Sequence, residues 1–394
     1  TSSTAATAGL SLDPVIAAGR IAPLAASLAD RAERERRLCS EVAEAMVDAG
    51  LFSLCVPRAL GGLECEPATL IRVVEELARA DGAAGWCLMI GATSGAASAY
   101  LSEAAARRIH SDPRAVVGGV FAPRGRAVAA SDGTYLVSGR WAFASGVHHC
   151  TWLVGGCLVE DAAGTRLRPE GVPDPHLAFF PITEVTVHDT WSVAGLRGTG
   201  SHDMEVRESR VLADMLVTLV TGRPVQSGPL YAFPVFGLLA TGVAAVALGI
   251  ARAASDDFVA LAADKVPGGS TRRLAERGTV QADVARAEAA VRSGRALLME
   301  TVDEAYAAAQ AGGEMTLQRR TSLRLAATNA TTASAHAVDL VYTAAGGSSI
   351  YESSTLQRRF RDIHVATQHI MVSPSMYELT GRLLLGLPTD PATL

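Results

Sequence analysis

The sequence predicts an α+β protein laid out in three stretches, helical, then β, then helical. Two patterns and the composition carry that reading. Apolar residues return every three or four positions in the first and last thirds of the chain, the spacing of helices that bury one face. Between them the sequence breaks into short runs rich in β-branched and aromatic residues, punctuated by Gly, Pro and Asp. Of 394 residues, 49% are hydrophobic and 19% charged, enough for a large core and too apolar for a disordered chain. The predicted boundaries are 1–113, 114–218 and 219–394.

The first stretch is helical from about Pro14 to Arg107. ERRLCSEVAEAMVDAGLFSL keeps one apolar face, VPRALGGLEC interrupts it with Pro and Gly, and ATLIRVVEELARADGAAGWCLMIGATSGAASAYL resumes the helical spacing. Pro67 stands at the head of that run, where its fixed φ and missing N–H suit a first helical turn. In the second stretch AVVGGVF, AVAASDGTYLVSGRWAFAS, TWLVGGCLV, HLAFFPI, VTVHDTW and HDMEVRESRVL read as strands joined by antiparallel turns, with SDGTYLVSGRW a hairpin. The expected architecture there is a barrel or sandwich. After the irregular TGRPVQSGPLYAFPVFG come helices over Leu238–Leu261, Thr279–Ala309, Leu317–Ala345 and Thr355–His369, with a shorter terminal helix. Their length predicts a bundle, broken at VPGGS, AGGE and AAGGSS.

Composition removes several classes of function. With 35 Lys plus Arg against 40 Asp plus Glu, the formal charge is -5, so no large positive field attracts nucleic acid. Scattered charges are expected to interrupt every long apolar run, leaving no membrane span. TSSTAATAGLSLDPVIAAGRIAPL has neither the basic head nor the unbroken apolar core of an export signal, which predicts a cytoplasmic location. Cysteines 39, 55, 65, 87, 150 and 157 are irregularly spaced and read as small core residues, not as a disulfide framework or metal site.

Three segments concentrate groups able to do chemistry. WAFASGVHH places Trp141, Phe143, Ser145, His148 and His149 at a strand end, either to face a planar ligand or as a buried aromatic strand closed by a serine. The adjacent histidines point to opposite faces of a strand and match no zinc spacing. VAGLRGTGSHDMEV holds Gly195, Gly198 and Gly200 for tight turns, with Arg197, Thr199 and Ser201 able to bind phosphate or amide oxygens; ordinary inter-strand turns are the alternative. LQRRFRDIHVATQH carries Arg358, Arg359, Arg361, Asp362, His364 and His369. Five residues separate the two histidines, so on a helix they share no face for a metal. His369 alone suits a substrate hydroxyl, as base or hydrogen-bond donor; a helix end carrying salt bridges is the alternative. Arg361 and Asp362 read as organisers of helix packing.

Taken together and in this order, WAFASG, GLRGTGSHD and RRFRDIHVATQH resemble the acyl-CoA dehydrogenase fold, and within it the two-component, group D aromatic hydroxylase-like branch of flavin-dependent monooxygenases. The likeness spans nearly the whole chain. It implies an N-terminal helical domain, a central β-barrel and a C-terminal four-helix bundle, commonly assembled as a homotetramer. Medium-chain dehydrogenases carry an aromatic residue, the base Glu, Gly and Thr after the RD pair. Here the run is His369, Ile370, Met371 and Val372, and Ile370 cannot accept a proton. Because some dehydrogenases place their Glu on another helix, acyl-CoA dehydrogenation stays as an alternative, beside flavin-dependent amine N-oxygenation.

The monooxygenase branch has a histidine where His369 stands and a serine where Ser145 stands, near the reactive N5 and C4a of the flavin. The resemblance implies reduced FMN, or FAD, supplied by a separate NAD(P)H-dependent flavin reductase. Oxygen then forms a C4a-hydroperoxide that hydroxylates a small aromatic or polycyclic molecule. It assigns catalysis to His369 and Ser145, cofactor binding to Trp141, Phe143, Ser145, Arg197, Thr199, Ser201, Arg358 and Arg361, and substrate contact to Trp86 and His369. Some members carry a further His or Trp after the GW segment. Here small residues follow Trp86, which opens the pocket and leaves indoles, polyketide-like aromatics, steroid-derived phenols and amino sugars as substrate classes.

Overall fold

The computed structural model describes residues 13–394. Helix α1 (Pro14–Glu35) starts where the Asp13 carboxylate accepts the N–H groups of Val15 and Ile16, with Pro14 at the first position. It stops at Arg36, whose φ of 54° breaks the helical run, and α2 (Ser40–Asp48) resumes it. Helix α3 (Pro67–Ala80) begins on Pro67 as the sequence predicts. Asp81 caps the next helix, α4 (Gly82–Gly95), which is buried almost all round, and α5 (Glu103–His110) completes the first part.

The second part holds eight strands: β1 (Val117–Ala129), β2 (Thr134–Ala144), β3 (Trp152–Asp161), β4 (Gly164–Thr165), β5 (Pro175–Pro181), β6 (Thr186–His188), β7 (His202–Leu212) and β8 (Leu216–Val217). The predicted hairpin is β1–β2, with Ala129 opposite Tyr135. The sheet order is β6-β7-β2-β1-β3-β5-β8, with β4 paired to β3. Two details differ from the expectation. β1 and β3 run parallel, because β2 leaves on the other side of β1 and the chain crosses back before β3. The sheet also curls without closing into a barrel: β5 and β7 touch, yet the pairing ends at β6 and β8. Inside the curl, the Trp141 indole lies against Phe180 and over Gly125, Gly139 and Gly155; a Cβ on any of the three would come within 2.6 Å of the ring.

The third part contains α6 (Pro229–Ala232), α7 (Val235–Asp264), α8 (Gly278–Gln310), α9 (Leu317–Ala345), α10 (Thr355–Ala366) and α11 (Ser375–Leu384). Helices α7, α8, α9 and α10 pack as a bundle, and α7 also lies on α3 and α4. Glycine permits the close crossing with α3: a Cβ at Gly249 would sit 2.6 Å from the Glu75 carbonyl oxygen. Helix α7 corrects the expectation about apolar runs, since it is long and apolar enough to cross a membrane. Most of that window is buried among the neighbouring helices, the pattern of a core helix. All six cysteines are free, and five are buried.

Candidate active site

Four side chains from three distant segments form one hydrogen-bonded line. Trp86 on α4 donates its indole N–H to Ser145 Oγ at 3.0 Å; Ser145 and Ser201 hydroxyls are 2.7 Å apart, and Ser201 and Thr199 hydroxyls 2.6 Å. Thr199 Oγ1 lies 2.8 Å from the Leu196 carbonyl oxygen. A carbonyl only accepts, so Thr199 must donate to it. Each hydroxyl carries one proton, which fixes the rest: Ser201 donates to Thr199, and Ser145 donates to Ser201. All three hydroxyls are buried. Ser145 therefore keeps one free lone pair and no free proton, and can serve a ligand only as an acceptor.

The strand end around Ser145 is bent. Strict alternation would put Trp141, Phe143 and Ser145 on one face, but the β2–β7 register shifts between Trp141 and Ala144, and Phe143 adopts a φ of 70°. That bulge turns the Phe143 ring outward, 68% exposed and edge-on to Trp191. A bulky residue with positive φ is strained, and such strain gathers at ligand sites. Trp141 is wholly buried, its N–H bonded to the Gly156 carbonyl at 2.7 Å. It belongs to the sheet core and has no face left for a cofactor, contrary to the sequence expectation. His148 and His149 diverge as expected, one against His202 and the other stacked on Phe52. Burial pushes His149 down to about 4.

The glycine-rich loop and α10 are joined. A Cβ on Gly195 would fall 2.2 Å from the Arg361 carbonyl oxygen, so only glycine lets the loop lie there. Leu196 donates its N–H to Asp362 at 2.6 Å, and Arg361 donates to the Ala194 carbonyl and pairs with Glu33. Arg358 pairs with Asp30, while Arg359 donates to the carbonyls of Arg79 and Ala80. Arg358 and Arg361 thus hold helices together, and neither guanidinium is left without an acid for the phosphate contact expected of it. Burial raises Asp362 to about 7 and raises Asp81 as well, with Arg358 and Arg359 opposing the shift in both. Arg197 differs: among the described residues it has no ion pair, and its buried Nε has no partner. Of the expected basic groups, it alone fits an anionic part of a flavin.

His369 lies beyond the end of α10, in the turn before α11, where helix was expected to continue. Its ring stands edge-on to Trp86, with centroids 5.5 Å apart, so Trp86, Ser145 and His369 come together. The Met371 backbone N–H donates to His369 Nδ1 at 3.3 Å, which places the proton of the neutral ring on Nε2. Burial first, and the charge of Arg324 second, push His369 down to about 4. His364 is turned away and bonded to Asp339. A groove of about 750 Å³ lined by Arg37, Glu41, Arg114 and His148, among others, contains none of Trp86, Ser145 and His369, so that hollow is separate from this cluster. Among the described residues no cluster of His, Cys, Asp or Glu is arranged to hold a metal.

Comparison with known proteins agrees with this layout. Residues 16–109 match the acyl-CoA dehydrogenase N-terminal domain and residues 241–374 the acyl-CoA dehydrogenase C-terminal domain. The indole-3-acetate monooxygenase of Pseudomonas putida is 31% identical over 366 residues, covering 92% of this chain and 91% of that protein. The chain belongs to the acyl-CoA dehydrogenase family, in its flavin-dependent monooxygenase branch. Another member, the flavin-dependent monooxygenase oxygenase subunit HsaA of Mycobacterium tuberculosis, is 29% identical over 377 residues, 91% of this chain and 92% of that one. XiaF from Streptomyces sp., solved in complex with FADH2 and glycerol, superposes with a TM-score of 0.87 at 25% identity, covering 96% of each chain. Ile370, which the resemblance sets in the place of the medium-chain dehydrogenases' base, is 70% exposed.

Sequence reasoning missed two contributors. Trp191 gives Phe143 its aromatic neighbour and donates its indole N–H to the Leu196 carbonyl at 3.2 Å. Arg324 acts on His369 from α9. The only trace of Arg324 in the sequence is an arginine within the otherwise small and apolar SLRLAAT.

Proposed function

We propose that this chain is the oxygenase component of a two-component system. It takes reduced FMN, with FAD as the alternative, from a separate NAD(P)H-dependent flavin reductase and uses O2 to hydroxylate a small aromatic or polycyclic molecule. The observation that carries the reading is the one-way hydroxyl line through Ser145. Its free lone pair suits the N5–H that a reduced flavin carries and not the bare N5 of an oxidised one. The flavin, when bound, supplies oxygen transfer by way of its C4a-hydroperoxide. The names of the relatives support the reading: one acts on indole-3-acetate, one is an oxygenase subunit, and XiaF holds FADH2.

The residues then divide the work. Ser145 accepts from the flavin edge, and Ser201 and Thr199 hold its proton away from that edge. Arg197 binds an anionic part of the cofactor. Phe143 and Trp191 screen the site from water, which limits loss of oxidising equivalents as peroxide. Trp86 walls the substrate. His369, neutral and protonated on Nε2, orients the substrate oxygen as a donor; acting as a base through Nε2 requires the other tautomer and loss of the Met371 contact. Exposed Ile370, Leu384 and Leu385 fit burial between copies of a homotetramer.

The test mixes the protein anaerobically with reduced FMN or FAD, admits oxygen and follows absorbance by stopped flow. A persistent species distinct from reduced and oxidised flavin is expected, decaying faster in Ser145→Ala. Immediate flavin oxidation, together with reduction of oxidised flavin by an acyl-CoA, would sink the proposal.

A further inference from the structure

Helix α9 carries a buried positive charge with no acid beside it among the described residues. Arg324 is 2% exposed. Its Nη1 donates to the Phe236 carbonyl at 3.3 Å and meets Met371 Sδ at 2.8 Å; its Nη2 meets Met376 Sδ at 2.8 Å, and its Nε has no partner among the described residues. A thioether is a weak, uncharged acceptor. Burial pulls the guanidinium down to about 10, which still leaves it charged at neutral pH. Such burial without a counter-charge is costly, and elsewhere the protein avoids it: on α10, the buried Arg358 is paired with Asp30. One turn before Arg324, Arg320 also lacks a carboxylate among the described residues, and its Nε is buried and unpaired.

The unpaired charge adjoins the reaction site. Met371, whose sulfur caps Arg324, donates its backbone N–H to His369, and His369 stands against Trp86. The two methionine side chains are flexible and make no strong bond to the guanidinium, so an incoming anion can displace them at little cost.

We infer that Arg324 recognises a carboxylate on the substrate, so that the enzyme acts on aromatic acids in preference to neutral arenes. This rests on the aromatic monooxygenase reading above and narrows it. The guanidinium fork takes the carboxylate oxygens in place of the two sulfurs, and the ring is left beside His369 and Trp86.

Calorimetric titration of indole-3-acetate and phenylacetate, each against its uncharged amide, tests this on the full chain, with and without saturating reduced FMN under anaerobic conditions. In the wild type at least one acid should bind at least about tenfold tighter than its amide. Arg324→Met should abolish that preference, leave amide affinity unchanged and keep the melting temperature level or higher; Arg324→Lys should keep part of the preference. Equal binding of acid and amide by the wild type, binding of neither, or equal loss of both in Arg324→Met would overturn the inference. If an acid binds in an Arg324-dependent way but is never oxygenated when reduced flavin and O2 are supplied, the anion site stands and the aromatic monooxygenase reading falls.

Discussion

Two buried arginine sites in the C-terminal bundle solve the same electrostatic problem in opposite ways. On α10, Arg358 and Arg359 lie among Asp81, Asp362, Asp30 and Asp257, and their charge is neutralised inside the chain. On α9, Arg324 faces two sulfurs and a carbonyl. Both helices contact α7, so neither burial nor position separates them; the neighbouring acids do. A buried guanidinium whose acids are present is a fastener. One without them keeps unused capacity for an anion, and only the second lies beside the reacting groups.

The comparison can be broken most severely on the fastened side. Asp362→Ala strips an acid from Arg358 and Arg359 and orphans the Leu196 N–H; urea unfolding should show a loss of about 3–5 kcal/mol. Arg324→Met, by contrast, should cost nothing measurable or stabilise. The next largest effect converts one site into the other. Met376→Glu gives Arg324 an internal acid, and acid binding should fall at least about tenfold while stability is held. The smallest effect is on pH. His369 is held near 4 by burial and secondarily by Arg324, so its neutral form should persist down to about that pH and kcat/KM should fall below it. Removing the Arg324 charge moves this acid limb upward by less than burial does, and a kcat/KM profile of Arg324→Met on a neutral arene should show it. An unmoved limb would separate Arg324 from His369.

The sequence made visible whatever repeats locally. Helix α9 was legible to both ends because helical spacing runs unbroken from Leu317 to Ala345, between the Thr316 cap and Gly346. Pro67 marked the start of α3, and the β1–β2 hairpin followed from its alternating turn pattern. Ser145, Thr199 and Ser201 were recognisable as polar groups in two motifs, but the bond from Trp86 to Ser145 spans 59 residues and no local pattern encodes it. Alternation fails at Phe143 because a bulge reverses its face, and the resemblance assigned Trp141 to the cofactor when the sheet interior holds it, as in the alternative reading of a buried aromatic strand. Arg324 was illegible for a physical reason: a charged residue within a helix ordinarily faces water, and only the packing of α7, Met371 and Met376 around it removes that water. On α10, Arg361 and Asp362 were legible as organisers of helix packing, whereas the resemblance gave Arg358 and Arg361 to the cofactor when the chain had already supplied their acids.

The three glycines under Trp141 have a mechanical consequence for Ser145. Gly125, Gly139 and Gly155 come from three strands, and one alignment alone puts all three beneath a single indole. Sliding β1 by one residue would put Arg124 or Arg126 in place of Gly125, where the ring leaves no room. The indole therefore works as a key that gauges strand alignment. The placement of Ser145 is set four residues upstream, by a steric fit containing no reactive group.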